Sequence, residues 1–141
     1  MTPINLLRPE FVDFIPERMD QGVLYISKRF STAVHLCCCG CGLEVITPLN
    51  PAKWRLIEKQ GAVSLYPSVG NWSFPCQSHY WIEENQVCCA GAMSPEMIAA
   101  VKAGDRRDAE ILALKSTGLR AYLGRWLNKT ISLLQCGWMH K

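Results

Sequence analysis

Two short clusters of cysteine and histidine are the residues of this chain whose types and spacing could do chemistry. The first cluster holds Cys37, Cys38, Cys39 and Cys41, and the second holds Cys76 and His79. Thiolate sulfur and imidazole nitrogen are the ligands that zinc prefers, and two knuckles from distant segments can supply four tetrahedral positions without straining either backbone. The two clusters therefore predict a zinc site.

The first cluster holds more thiols than one zinc ion needs, and the sequence leaves their register open. In an extended segment Cys37, Cys39 and Cys41 would share one face. In a turn, Cys38 and Cys41 would instead form a Cys-x-x-Cys chelate. The residues by themselves favour a ligand set of Cys39, Cys41, Cys76 and His79, with Cys37 next.

The remaining cysteines have apolar neighbours. Cys88, Cys89 and Cys136 are accordingly interpreted as small buried hydrophobic side chains. Disulfides are the weaker explanation, because the N-terminus shows no basic start followed by an apolar stretch and a small-residue cleavage site. A reduced, cytoplasmic location is therefore expected.

Composition is typical of one globular domain. The chain has 141 residues, of which 49% are hydrophobic, and it contains no long apolar run that would span a membrane. Its net charge of +3 is too small to indicate nucleic-acid binding. Residues 94–141 are basic, with eight Lys or Arg against four Asp or Glu. A solvated helix face explains this excess.

The first part of the chain has the pattern of short strands separated by turns. Runs rich in β-branched and aromatic residues predict strands over 22–27, 32–36, 43–47, 62–66, 79–82 and 86–89. Residues 83–85 form the turn of a predicted hairpin, and prolines and glycines mark the other loops. This pattern indicates a small antiparallel sheet with the cysteine clusters at strand ends and turns.

The pattern changes to helical after Ser94. Ser94 suits an N-cap, Pro95 suits the first helical position, and Gly104 is expected to end a first short helix. Apolar residues then recur at three- and four-residue spacing at Leu119, Tyr122, Leu123, Trp126, Leu127, Ile131 and Leu134. We therefore predict an α+β protein with a β-rich zinc-binding core over 1–93 and a helical extension over 94–141 packed on that core.

Carboxylates near the clusters could serve a catalytic zinc. Such an ion keeps one coordination position for water, and a nearby carboxylate accepts the proton of that water. Glu44 follows the first cluster by three residues and is the preferred candidate, ahead of Glu83 and Glu84. No His-Glu-x-x-His motif is present.

A serine nucleophile is the second possibility. Ser78 adjoins His79, and Ser64 and Ser68 lie upstream. Side chains at adjacent positions diverge on a strand, so a structural hydrogen bond is the simpler interpretation of Ser78. A cysteine nucleophile, Cys76 or Cys88, is a further possibility, but a zinc-bound thiolate is a poor nucleophile.

Five motifs of the chain stand out together: HLCCCGCG from His35, TPL from Thr47, Trp54, VSLYPSVGNW from Val63 and PCQSHYWI from Pro75. In combination they resemble a small bacterial family of zinc-binding proteins encoded beside prokaryotic ubiquitin-like proteins and their E1-like and E2-like enzymes. The resemblance covers roughly residues 35–90. It maps the metal positions of the family onto Cys37, Cys39, Cys41, Cys76 and His79, without indicating which four bind.

This resemblance implies a role in the ubiquitin-like pathway. The first form of this role is a zinc-dependent peptidase or isopeptidase that processes or removes the ubiquitin-like protein. The residues themselves, and not the resemblance, offer Glu44 and Ser78 as its candidate catalytic residues. The alternative is a non-catalytic zinc module that binds the ubiquitin-like protein or its E1-like and E2-like conjugation enzymes. A closed shell of four ligands would favour the second form.

Overall fold

The protein is an α+β protein with two small sheets and one C-terminal helix, which confirms the predicted class. The computed structural model describes residues 2–50 and 54–136, with side chains for residues 2–50 and 54–115. The chain divides into two compact units, Met1–Ala92 and Met93–Lys141. Both sheets belong to the first unit, and the helix belongs to the second.

The first sheet has four strands in the order β1-β2-β3-β4. They are β1 (Arg8–Phe11), β2 (Val23–Ser27), β3 (Thr32–Leu36) and β4 (Glu44–Pro48). β1 pairs parallel to β2, and the other pairs are antiparallel. The prediction of one antiparallel sheet was therefore too simple. β1 was missed because it is short and contains Pro9, and a proline within a short run of residues argues against a strand.

The second sheet has four antiparallel strands in the order β5-β6-β7-β8. They are β5 (Arg55–Lys59), β6 (Ala62–Gly70), β7 (His79–Glu83) and β8 (Gln86–Cys89). β5 was not predicted, because its residues are largely exposed and three of them are charged. Its sequence therefore lacks the alternation of apolar and polar residues that indicates a half-buried strand. The predicted hairpin over 83–85 is present, with Glu84 and Asn85 at positive φ.

Apolar side chains from both sheets form one buried cluster. β2 contributes Leu24 and Ile26, and β6 and β7 contribute Val63, Leu65 and Ile82. Each of these side chains is at most 3% exposed. Burial of such apolar area stabilises the fold by roughly 25 cal/mol per Å². The cluster also includes Cys37 and Cys38, so the first cysteine segment is anchored in the core.

The second unit holds one helix, α1 (Pro95–Cys136). As predicted, Ser94 caps it, with its Oγ accepting a hydrogen bond from the Met97 amide at 3.3 Å. The expected end at Gly104 is wrong, because a single glycine inside a helix costs only about 1 kcal/mol and does not terminate it. The predicted apolar stripe over 119–134 and the side chain of Cys136 lie outside the described side chains. No helix within the described residues is long and apolar enough to cross a membrane.

Candidate functional site

Four cysteine side chains converge at one point of the first unit. The Sγ atoms of Cys37, Cys39, Cys41 and Cys76 all lie within 4.8 Å of one another. Cys37 Sγ lies 3.4 Å from Cys39 Sγ and 3.9 Å from Cys76 Sγ, and Cys41 Sγ lies 3.9 Å from Cys76 Sγ. The two segments that carry these cysteines, distant in the sequence, thus meet as predicted.

A tight turn after β3 presents the first three of these thiols. The amide of Cys37 donates to the Leu43 carbonyl at 2.8 Å, and the amide of Gly40 donates to the Cys37 carbonyl at 3.0 Å. Gly40 and Gly42 have φ of 87° and 75°, a conformation that glycine adopts without strain. The segment therefore curls around the point where the sulfur atoms meet.

Cys38 lies outside this group of four. Its side chain is 2% exposed, and burial raises its pKa to about 12. It is therefore a neutral thiol packed in the core. The Cys38-x-x-Cys41 chelate that a turn could have formed is not the arrangement present among the described residues.

The sulfur geometry fits a tetrahedral metal ion. Zinc bound to thiolates at about 2.3 Å requires neighbouring sulfur atoms about 3.8 Å apart. The observed separations of 3.4 and 3.9 Å bracket that value. Burial raises the pKa of both Cys39 and Cys41, and a cation among them would oppose this effect by favouring their thiolate forms. The four cysteines could hold a metal ion, consistent with zinc.

Ser78 and Asn71 surround the cysteine group. Ser78 Oγ lies 3.1 Å from Cys37 Sγ and 3.6 Å from Cys76 Sγ. Asn71 Nδ2 donates to Ser78 Oγ at 2.9 Å and to Cys37 Sγ at 3.5 Å. Burial acts to raise the pKa of Cys76, but hydrogen bonds with Ser78, Cys39 and Cys41 together outweigh that effect and lower the pKa to about 7. Ser78 thus contacts sulfur, and its hydroxyl makes no recorded contact with His79 in the described part of the chain.

His79 is placed away from the four sulfur atoms. Its Nε2 atom lies 2.9 Å from Ser68 Oγ, which is a hydrogen bond between a hydroxyl and an imidazole. Gly70 of β6 pairs directly with His79 of β7, and Ser68 lies two residues from Gly70 on the same strand. Alternation of side chains places Ser68 on the face of the sheet that carries His79. In the structure His79 therefore forms a hydrogen bond with Ser68 and lies outside the group of four cysteines.

Ser68 lies in an irregular part of β6. The register of β6 against β7 shifts between Leu65 and Val69. This irregularity includes Pro67, which has no amide to donate to the ladder. Bulges re-aim side chains and occur often beside active sites. The serine thus lies within the interrupted part of the pairing, which resumes at Val69.

Aromatic rings surround the imidazole of His79. The ring centroid of Trp72 lies 5.0 Å away, and that of Trp81 lies 5.3 Å away. Burial lowers the pKa of His79, which favours the neutral base. Within the described residues its buried Nδ1 atom has no hydrogen-bond partner, so no carboxylate orients this ring as in a Ser-His-Asp triad.

The predicted carboxylates lie on exposed segments. Glu44 begins β4, pairs with Leu36 and is exposed. Glu84 lies in the β7–β8 turn and forms a 3.7 Å ion pair with Lys59, while Glu83 ends β7 and is also exposed. In the described part of the chain, none of the three makes a recorded hydrogen bond to a cysteine of the group or to the Ser68–His79 pair.

The structure also corrects the prediction for two other cysteines. Cys88 and Cys89 are exposed on β8 rather than buried. β8 is the last strand in the order of the second sheet, and its Gln86 also forms an isolated antiparallel bridge with Leu6. The apolar residues beside these cysteines in sequence are therefore no guide to their burial.

The pairing of Ser68 with His79 was missed from sequence. The predicted strand ended at Tyr66, because Pro67 was interpreted as the start of a loop. Extending the strand through Pro67 to Gly70 would have placed Ser68 and Gly70 on one face by simple alternation. The predicted hairpin strand beginning at His79 was the natural partner of that face.

Comparison with known proteins identifies the family. The family described as "Bacterial ubiquitination-like system serine protease (BubE)" matches residues 11–90, which are 80 of the 141 residues and include the four clustered cysteines, Ser68 and His79. The chain therefore belongs to this family. No curated protein and no solved structure gives a significant match. Because the family is one of serine proteases, the predicted zinc-dependent hydrolase is wrong, whereas the predicted ubiquitin-like pathway fits the family description.

Proposed function

We propose that this chain is a serine protease in which Ser68 is the nucleophile and His79 is the general base. The observation that carries the proposal is the 2.9 Å separation of Ser68 Oγ and His79 Nε2. A nucleophile and its base must lie within about 2.6–3.2 Å for direct proton transfer. Other described serines near the site do not meet this criterion, since Ser78 contacts sulfur and Ser64 Oγ accepts from the Glu84 amide.

The chemistry is an acyl transfer in two halves. Ser68 Oγ attacks the carbonyl carbon of the scissile bond while its proton passes to His79 Nε2. The carbon–nitrogen bond then breaks, and the leaving amine takes that proton from His79. In the second half, water gives a proton to Nε2 and its oxygen attacks the acyl carbon. Cleavage of the ester releases Ser68 with its proton restored.

His79 has the protonation state that this step requires. To accept the serine proton, Nε2 must be unprotonated, so the ring hydrogen of the neutral imidazole resides on Nδ1. Burial lowers the pKa of His79 and therefore favours this neutral form near pH 7. The ring needs no further activation by a charged neighbour to be neutral at that pH.

The cysteine group serves a structural zinc in this proposal. Four thiolates from Cys37, Cys39, Cys41 and Cys76 would fill a tetrahedral shell, and a closed shell supplies folding energy rather than an activated water. Cys76 lies three residues before His79 in the loop between β6 and β7. A bound ion would therefore tie that loop to the turn after β3 and hold the start of β7 in place.

The substrate class follows from the pathway of the family. We propose that the chain cleaves the bond after the C-terminus of a bacterial ubiquitin-like protein, and that it meets that protein and its E1-like and E2-like enzymes as partners. Support comes from the family description, which places its members in a ubiquitination-like system. Peptide, isopeptide and ester bonds all present the carbonyl carbon that an acyl transfer attacks.

The decisive experiment measures cleavage of a ubiquitin-like protein that carries a C-terminal extension. Ser68→Ala should lower kcat/KM by about 10³-fold or more, because nucleophile and base act as one unit. His79→Gln should cause a loss of similar size. A fluorophosphonate, which phosphonylates an activated serine hydroxyl with loss of fluoride, should label Ser68 in the unaltered protein and leave Ser68→Ala unlabelled.

Three matched variants separate the possible roles. Ser64→Ala and Glu44→Gln should keep activity within about twofold, because both residues lie outside the pair that reacts. Ser78→Ala is the sharper comparison, since Ser78 was a candidate nucleophile from the sequence. Full cleavage by Ser68→Ala would remove Ser68 as the nucleophile, and abolished cleavage by Ser78→Ala with its bound metal retained would assign that role to Ser78.

A further inference from the structure

One face of the β6–β7 pair carries the proposed reacting groups and a glycine. Gly70 lies directly across from His79, Ser68 lies two residues before Gly70 on β6, and Trp81 lies two residues after His79 on β7. The opposite face carries Val69 and Tyr80, which are 3% and 1% exposed. Gly70 is thus the member of the reactive face that leaves open space beside the imidazole.

The indole of Trp72 occupies that space. A Cβ atom added at Gly70 would lie 2.5 Å from Cε2 and 2.5 Å from Nε1 of Trp72, and 2.6 Å from Cζ2. Real Cβ atoms do not approach other atoms so closely. Gly70 does not have the left-handed φ that favours glycine, so the restriction at this position is one of space.

Trp72 in turn packs against His79. The two ring centroids lie 5.0 Å apart with an interplanar angle of 56°. Trp81 approaches the same imidazole from along β7, with centroids 5.3 Å apart and an angle of 40°. Ring pairs at such separations attract each other by about 0.5–1.5 kcal/mol beyond the burial of their area.

Ring packing takes the place of a hydrogen bond in orienting His79. In a Ser-His-Asp triad, a carboxylate on Nδ1 fixes the imidazole. Here Nδ1 is buried and has no hydrogen-bond partner among residues 2–50 and 54–115. Among residues 2–50 and 54–115, the ring contacts Ser68 Oγ and the indoles of Trp72 and Trp81, which restrain its orientation.

The geometry points to Trp72 as a positioning residue for the general base, with Gly70 as the position that lets its indole reach the imidazole. This inference rests on the proposed function of Ser68 and His79. Displacing a reacting group by about 1 Å can cost on the order of 100-fold in rate. Because Trp72 acts on the base, its loss should lower kcat and the rate of Ser68 phosphonylation while leaving KM within about twofold.

The loop that carries Trp72 is itself held at both ends. The Asn71 amide donates to the Ser78 carbonyl at 2.9 Å, and the Phe74 amide donates to the Asn71 carbonyl at 3.0 Å. Cys76 anchors the same loop in the cysteine group. Trp72 therefore projects from a fixed loop, which a positioning role requires.

A double-mutant cycle tests the inference. Gly70→Ala should lower kcat and the phosphonylation rate by about 10- to 100-fold, since its methyl group displaces the indole. Trp72→Phe keeps an aromatic ring, removes the Nε1 edge and should cost less than about fivefold. The double variant should recover to the level of Trp72→Phe, because the methyl group then meets a smaller ring.

Each outcome decides the matter. Recovery of kcat in the double variant to the level of Trp72→Phe supports the coupling between Gly70 and Trp72. Losses of kcat that simply multiply in the double variant, or full activity of Gly70→Ala, overturn the inference. If Gly70→Ala does not fold, as judged by thermal unfolding and metal content, Trp72→Leu replaces it and should lower kcat about 10-fold at unchanged KM. An unchanged kcat in Trp72→Leu would also overturn the inference. A different result would show that the proposed function itself is wrong. In that case the fluorophosphonate would still label the Ser68→Ala variant.

Discussion

The hydroxyl of Tyr80 lies 2.8 Å from Nε2 of His35, in a fully buried contact between strands of the two sheets. Asn71 Nδ2 also donates to this hydroxyl, at 3.3 Å. Burial lowers the pKa of His35 to about 4 and raises that of Tyr80, so both groups are neutral near pH 7. A neutral hydrogen-bond network therefore links the first sheet to the residues beside the cysteine group.

Removing the Tyr80 hydroxyl should destabilise the fold. Tyr80→Phe keeps the ring but leaves His35 Nε2 buried without its partner, and its Nδ1 already has none among the described residues. We expect a loss of about 1–3 kcal/mol in the free energy of unfolding, measured by urea denaturation. Tyr66→Phe is the matched control, because Tyr66 is 55% exposed. Equal stability of the two variants would show that the buried contact contributes nothing.

The cysteine group should bind about one zinc ion per chain. Because binding energy of structural zinc reaches about 10 kcal/mol or more, removing a ligand should destabilise the fold strongly. Cys76→Ser should therefore lower both the zinc content, measured by mass spectrometry of metals, and the thermal midpoint. Cys88→Ser should change neither, since Cys88 is exposed and outside the group. Far less than one zinc ion per unaltered chain would remove the zinc assignment.

Protease activity should fall at acidic pH with an apparent pKa below 6.5. Burial lowers the pKa of His79 from 6.5, and the base works only when neutral, so activity is full above the folded pKa and is lost as pH falls through it. The recorded side-chain contacts of its imidazole are to Ser68, Trp72 and Trp81, which carry no charge near pH 7. The profile of kcat/KM against pH measures this value. An acidic limb above pH 7 would contradict the assignment of His79.

Much of the cysteine centre was predictable from local sequence. Two clusters of thiols, with glycines at 40 and 42, indicate a metal site whatever the surrounding fold, because few other roles gather soft ligands in two short segments. The strands over 32–36 and 86–89 were predicted with their observed bounds, since each is a short run of strand-forming residues bounded by turn residues. The pathway followed from the family resemblance.

The proposed catalytic pair depended on tertiary structure. The sequence itself determined a thiol cluster, a set of short strands and a capped C-terminal helix, because spacing, alternation and capping are local properties. It did not determine whether His79 turns towards sulfur or towards Ser68, since that choice depends on the register of β6 against β7 and on the bulge before Val69. Pairing between strands decides which side chains share a face. The tertiary structure therefore places His79 outside the cysteine group, although Cys76 of that group lies only three residues before it in the sequence.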